Sequence, residues 1–156
     1  EGLLLSSGGH PMAAGLTIET KNIEVFHQNL LRVSGQISTE IFKRQTRVDC
    51  GINFEDITEE LAKEIEKFAP FGFGNPEPVF LTKGVFVEDA RLVGRDVKHL
   101  KMRVKSKLLS YEAIAFGMGD LYAKLSSDRP VDIVYSLAFD EWNGRRSLQL
   151  KIKEIK

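Results

Sequence analysis

Gly8, Gly9 and His10 stand together near the start of the chain, followed by Pro11 and the small-residue run Met12-Ala13-Ala14-Gly15. Paired glycines let backbone amides approach a phosphate because no Cβ intervenes. A neighbouring histidine can donate a hydrogen bond to a phosphate oxygen or stand beside a metal. The same residues also suit a plain Gly-Gly turn with an exposed histidine, and the spacing does not choose between the two. A second stretch carries Arg95, Lys98, Lys101, Arg103, Lys105 and Lys107 against the single acid Asp96. As a strand it puts His99, Lys101, Arg103 and Lys105 on the face opposite Leu100, Met102 and Val104. Neighbours on that face lie about 6.6 Å apart, the scale of an extended nucleic-acid backbone. The alternative is an ordinary solvated strand face. The third stretch is Asp140-Glu141-Trp142-Asn143-Gly144-Arg145-Arg146. Trp142 offers a surface on which a base can stack and Arg145 and Arg146 offer phosphate contacts. Asp140 and Glu141 oppose that locally, and Trp142 folding back over the barrel end is the competing reading.

Constellations for independent catalysis are missing. His10, His27 and His99 are far apart in sequence, and His27 falls near the apolar face of a helix, where a structural role is expected. No Asp or Glu pair stands at metal-ligand spacing to a histidine, and no Ser-His-Asp arrangement suggests itself. No metal site is expected within this chain.

The elements that must position these residues follow from periodicity. Residues 16–19 suit a short strand. From 21 to 37, Ile23, Phe26, Leu30, Val33 and Ile37 make one helical face, with Thr20 or Asn22 as cap. Residues 46–54 alternate weakly, as a strand would. A second helix is expected over about 58–68, with Leu61, Ile65 and Phe68 as its stripe and Asp56 with Glu59 resembling a capping box. Pro70 and Gly72 stop it, and the run through Pro78 is a natural boundary. Strands follow over 79–87, 97–105, 110–116, 131–139 and 147–155, with Glu88-Asp89 read as a turn, a short helix at 120–125, and the hairpin signal Asn143-Gly144 before the last strand. Five strands with a short helix between the third and fourth is the layout of an OB-fold barrel, which binds oligonucleotides on its second and third strands and adjoining loops. The fold class is therefore α+β.

Length and composition set the outer bounds. The 156 residues suit one domain, or one domain with a piece of another. With 42% hydrophobic and 28% charged residues the chain is an ordinary globular one, not a disordered or low-complexity one. The single cysteine, Cys50, excludes an internal disulfide and a cysteine-rich zinc site, and is expected to be a buried or half-buried thiol. No apolar run approaches the ~18 residues of a membrane span. The start, Glu1-Gly2-Leu3-Leu4-Leu5, has neither an initiator Met nor a basic segment. It reads as a cut inside a longer protein, and a cytoplasmic setting is the default expectation.

Taken in order, several of these segments resemble one family. Gly8-Gly9-His10-Pro11-Met12-Ala13-Ala14-Gly15-Leu16 looks like the glycine-histidine signature of DHH-associated domains. Pro70-Phe71-Gly72 with Pro76-Glu77-Pro78-Val79-Phe80 is similar to the link into the OB-fold of the RecJ family of single-strand-specific DNA exonucleases. Leu92-Val93-Gly94, Lys98-His99-Leu100-Lys101, Ala113-Ile114-Ala115-Phe116 and Asn143-Gly144-Arg145-Arg146-Ser147-Leu148-Gln149 continue the match.

The resemblance covers essentially the whole chain. It implies the C-terminal part of a DHH-associated domain over 1–54, a linking helix and boundary over 55–77, and an OB-fold over 78–156. It implies a role in 5′-to-3′ degradation of single-stranded DNA during repair and recombination, with Mn²⁺ or Mg²⁺ held by an N-terminal DHH domain of the same protein. This portion alone should then bind no metal and show no activity. Gly8, Gly9 and His10 would face the substrate phosphate, with His10 stabilising its negative charge; Ser7 replaces a glycine common in relatives. Lys98, Lys101, Arg103, Lys105, Trp142, Arg145 and Arg146 would hold the strand. The implied partners are single-stranded DNA, the DHH domain, and single-strand-binding or recombination proteins, with no membrane. Two other readings stand beside it: a free-standing OB-fold single-strand binder, and a DHH-family phosphodiesterase acting on short oligonucleotides.

The zero net charge, 22 basic against 22 acidic residues, conceals a division. Residues 55–75 carry two basic and six acidic side chains, whereas 76–156 carry fifteen and eleven. A neutral average therefore does not argue against a polyanionic partner.

Overall fold

A computed structural model describes residues 2–42, 45–142 and 144–156, leaving aside the side chains of Phe42 and Trp142. Two compact units divide between Gln45 and Thr46.

The first unit is a hairpin followed by a helix. Strand β1 (Leu4–His10) pairs antiparallel with β2 (Ala13–Ile18), with Gly8 opposite Gly15, Gly9 opposite Ala14 and His10 opposite Ala13. Helix α1 (Ile23–Ser34) carries the expected apolar stripe, but Ile23, Leu30 and Val33 are all exposed, as is His27. Asn22 occupies its N-cap position without making a side-chain capping bond.

The second unit is a closed barrel. Its strands are β4 (Phe80–Val93), β5 (His99–Ser106), β6 (Leu109–Ala115), β7 (Val131–Trp142) and β8 (Arg145–Ile155). They run in the order β4-β5-β6-β8-β7, and β7 pairs back onto β4 to close the ring. Only β6 and β8 are parallel among these pairs. A short 3-10 helix over Gly119–Lys124 sits between β6 and β7. The fold is thus α+β around a five-stranded OB-type barrel.

Strand β4 serves two neighbours because it bends twice. Its register shifts between Thr82 and Val85, where Gly84 takes φ +68°, and again between Glu88 and Arg91, where Asp89 takes φ +51°. Each bulge adds a residue and reverses the inward phase of the strand. Phe80 and Thr82 point inward before the first shift, Val85 and Val87 after it. Glu88-Asp89 is therefore a bulge inside a long strand rather than the turn expected there. Alternation reads as a strand end where an extra residue breaks the period, and sequence alone does not separate the two.

The barrel is filled by the inward residues of every strand: Phe80, Val85 and Val87 from β4, Leu100, Met102 and Val104 from β5, Ala113 and Ala115 from β6, Ile133, Tyr135 and Leu137 from β7, and Leu148, Leu150 and Ile152 from β8. The segment before the barrel joins this core. Phe54 and Ile57 are buried, as are Ala62 and Ile65 of helix α2 (Glu59–Glu66). The Tyr111 hydroxyl donates to the Ile57 carbonyl, and the Phe54 and Tyr111 rings meet edge to face at 5.1 Å. Thr82 Oγ1 donates to the Ile52 carbonyl at 2.9 Å and shares a 2.8 Å hydrogen bond with the Tyr135 hydroxyl.

Local details depart from expectation in four places. The cap of α2 is Thr58, whose hydroxyl accepts from the Leu61 amide at 3.1 Å. Asp56 instead closes a turn with Asn53, accepting from its amide at 3.2 Å. Phe68 lies beyond the end of α2 and is exposed, while Ala62 takes the buried place. The strand expected over 46–54 contracts to β3 (Cys50–Gly51), parallel to the start of β4. Cys50 is exposed rather than buried, because its two-residue strand lies at the sheet edge.

Candidate nucleic-acid interface

The alternation of β5 places its basic residues as the sequence suggests. Leu100, Met102 and Val104 are wholly or almost wholly buried, so Lys101, Arg103 and Lys105 project from the outside of the barrel. Strand geometry sets this: the three apolar residues can reach the core only if the intervening ones face out. Register then fixes their neighbours. Glu88 of β4 and Glu112 of β6 flank Arg103, while Arg91 and Ile114 flank Lys101.

Each of these cations meets a carboxylate. Lys105 Nζ lies 3.1 Å from Glu88 Oε1. Arg103 reaches Glu112 at 3.2 Å and Asp89 at 3.4 Å, and Lys101 approaches Glu112 at 3.7 Å. The left-handed backbone of Asp89 in the bulge is what swings its carboxylate toward Arg103. Lys107, beyond the strand, pairs with Glu55 at 2.8 Å; that hydrogen bond holds the carboxyl below and the ammonium above its ordinary range. The cleft between the bulge and β5 has a volume of about 300 Å³ and is lined by Asp89, Arg91, Lys101, Arg103 and Glu112.

The turn from β4 to β5 borders this face. Gly94 takes φ +93°, the Val97 amide donates to the Gly94 carbonyl at 3.1 Å, and Lys98 pairs with Asp96 at 3.2 Å. His99 opens β5 and packs against Gly94.

The β7–β8 hairpin brings up a separate set. Arg146 is bound by both carboxylate oxygens of Glu66 on α2 at 2.5 Å, lies 3.5 Å from Glu141, and stacks over the Phe139 ring with its guanidinium carbon 4.0 Å from the ring centroid. The hydrogen bond to Glu66 raises its already high pKa. Arg145 is exposed beside it. The side chain of Trp142 and the whole of Asn143 lie outside the described residues.

Gly8, Gly9 and His10 are not a loop. They form the last part of β1, and the turn is Pro11-Met12. Neither glycine has a positive φ, and the His10 imidazole accepts a long hydrogen bond from the Met12 amide at 3.4 Å. Their small neighbours Ala13, Ala14 and Gly15 are the opposite strand of the hairpin. Glycine pairs read as loops by composition, but cross-strand pairing with equally small residues lets them continue a ladder. All three residues are exposed.

Residues 48–154 match the family model of the RecJ OB domain, about two thirds of the chain. The chain belongs to this family. The RecJ exonuclease of Bacillus subtilis, described as single-stranded-DNA-specific, is 32% identical over 150 residues, covering 94% of this chain and 19% of that protein. The Escherichia coli enzyme of the same description is 32% identical over 164 residues, covering 99% and 27%. The crystal structure of Thermus thermophilus RecJ with Mg²⁺ superposes with a TM-score of 0.68 at 25% identity, over 99% of this chain and 23% of that one. A second structure of that protein holds Mn²⁺. The chain therefore spans about a fifth to a quarter of its relatives' length.

Among the described residues no three His, Cys, Asp or Glu side chains gather as ligands. No described helix is long and apolar enough to cross a membrane. Within the RecJ OB barrel, the cations of β5 are legible in the sequence by alternation, whereas their carboxylate partners Glu88, Asp89 and Glu112 come from the flanking strands β4 and β6. The signal for Glu112 was available: it alternates with the core residue Ala113.

Proposed function

We propose that this chain is the strand-gripping part of a RecJ-type, metal-dependent exonuclease that degrades single-stranded DNA from the 5′ end in repair and recombination. The observation that carries this is the outward row Lys101, Arg103 and Lys105 on the second strand of a barrel of the RecJ OB family. That is the surface on which OB-folds take oligonucleotides. Successive outward residues on a strand are about 6.6–6.8 Å apart, so an extended phosphate backbone can lie along them. The carboxylates on these cations do not forbid it. Exposed ion pairs are worth only ~0–1 kcal/mol, so phosphates can replace them at little cost.

In the same reading, residues 1–54 are the C-terminal part of a DHH-associated domain. Gly8, Gly9 and His10 face the scissile phosphate there, and the Mn²⁺ or Mg²⁺ ligands lie in an N-terminal DHH domain outside this chain. The hairpin residues Trp142, Arg145 and Arg146, with Lys98 on the β4–β5 turn, extend the grip. The chain by itself then cleaves nothing, and Mn²⁺-dependent 5′-directed cleavage by the purified 156-residue chain would contradict this.

The direct test is titration with oligo-dT, read by Trp142 fluorescence and by anisotropy at two salt concentrations. Affinity should fall as salt rises, with a slope of ~0.7 per phosphate contact. Absence of binding at low salt would overturn the reading.

A further inference from the structure

We infer that the ring of Phe116, braced by His99, is a stacking platform for one unpaired nucleobase at the end of the β5 cation row. This rests on the single-strand reading above and adds to it a base-binding position.

Phe116 follows β6 directly, in the turn with Gly117, and its ring lies against His99, which alternates with the buried Leu100 and so shares the outer face of β5 with Lys101 and Arg103. Phe116 is 60% exposed. It is not a loose side chain on open sheet. The His99 ring meets it edge to face, with centroids 5.3 Å apart and planes at 72°.

His99 is itself fixed from two sides. Its Nδ1 accepts from the Gly117 amide at 3.0 Å, which puts the proton of the neutral ring on Nε2. Its other edge rests on Gly94, so closely that a Cβ there would stand 2.9 Å from Cδ2. The backbone just after Phe116 and the glycine of the β4–β5 turn thus converge on one imidazole. The imidazole in turn braces the phenyl ring, which stays more than half exposed.

The charges nearby select the occupant. Register puts Lys101 opposite Ile114, one row in from the His99–Phe116 pair, and Arg103 opposite Glu112, one row further. A strand whose phosphates follow Lys101 and Arg103 carries its next base to Phe116. A π-face accepts any base, so the contact adds affinity without sequence preference. An aromatic ring ending a cation row suits a polyanion with planar groups, which is single-stranded nucleic acid.

The test compares oligo-dT with an abasic oligomer of the same length, which keeps the phosphates and lacks the bases. Binding of both to the 156-residue chain is measured for the wild type, Phe116→Ala and Phe116→Trp. Phe116→Ala should weaken oligo-dT binding roughly 5- to 150-fold and leave the abasic affinity unchanged. Phe116→Trp should keep the oligo-dT affinity. Equal losses for both oligomers, or no loss for either, would overturn the platform while leaving the phosphate grip in place. A wild-type chain that binds neither oligomer would remove the single-strand reading, and the platform with it.

Discussion

Arg103 on β5 donates from Nη2 to Oε1 of Glu112 on β6 at 3.2 Å, and the same carboxylate lies 3.7 Å from Lys101. One acid thus partly neutralises two of the cations proposed to hold DNA, and it competes with phosphate for them. Glu112→Gln should therefore tighten oligo-dT binding, by up to about 5-fold if the freed interaction is worth ~1 kcal/mol. Anisotropy titration checks this, and weaker binding by the variant would show that Glu112 positions the cations rather than shielding them.

Lys101→Ala and Arg103→Ala should each weaken binding to all sequences by similar factors, since phosphate contacts carry no base code. Each should also reduce the salt slope by ~0.7. Titrations with oligo-dT and with mixed-sequence strands at several salt concentrations read both quantities. A loss confined to one sequence would point to base readout on this face.

Gly94→Ala should destabilise the barrel by roughly 1–3 kcal/mol. The position has φ +93°, and an added Cβ meets the His99 ring at 2.9 Å. Urea denaturation of the variant against the wild type measures the change. A cost under about 0.5 kcal/mol would mean that the turn rearranges freely.

Alkaline pH should weaken the fold through Tyr135. Burial pushes its phenol up to about 12, with a smaller opposing effect from the Thr82 hydrogen bond. In the unfolded chain the phenol ionises near ~10. Between those values the unfolded state loses its proton first, so stability is intact below pH ~10 and declines as pH rises toward the folded value. The loss amounts to about 2 kcal/mol. Denaturation midpoints across this range should fall for the wild type, and Tyr135→Phe should remove most of that fall.

The barrel was legible in the sequence because its signals are local. Leu100, Met102 and Val104 alternate with basic residues over a single strand, and the order of five such strands around one short helix names the fold. The cap of α2, the bulges of β4 and the place of residues 54–65 were harder to read. Thr58 and Asp56 are both competent caps, and only packing of Ala62 and Ile65 into the core decides where the helix begins. A bulge costs one unpaired residue and leaves no compositional mark beyond Gly84.

By itself the sequence determined which face of β5 is charged, since a two-residue period leaves no other way to bury the three apolar side chains. It also determined that the zero net charge divides into an acidic segment and a basic barrel. Tertiary structure decided what those charges meet. Glu88, Asp89 and Glu112 reach Lys105 and Arg103 because β4 and β6 flank β5 in one register, and Arg146 is drawn to Glu66, eighty positions away. Cross-strand register and long-range pairing depend on how the whole barrel closes, and no local run of residues encodes that closure.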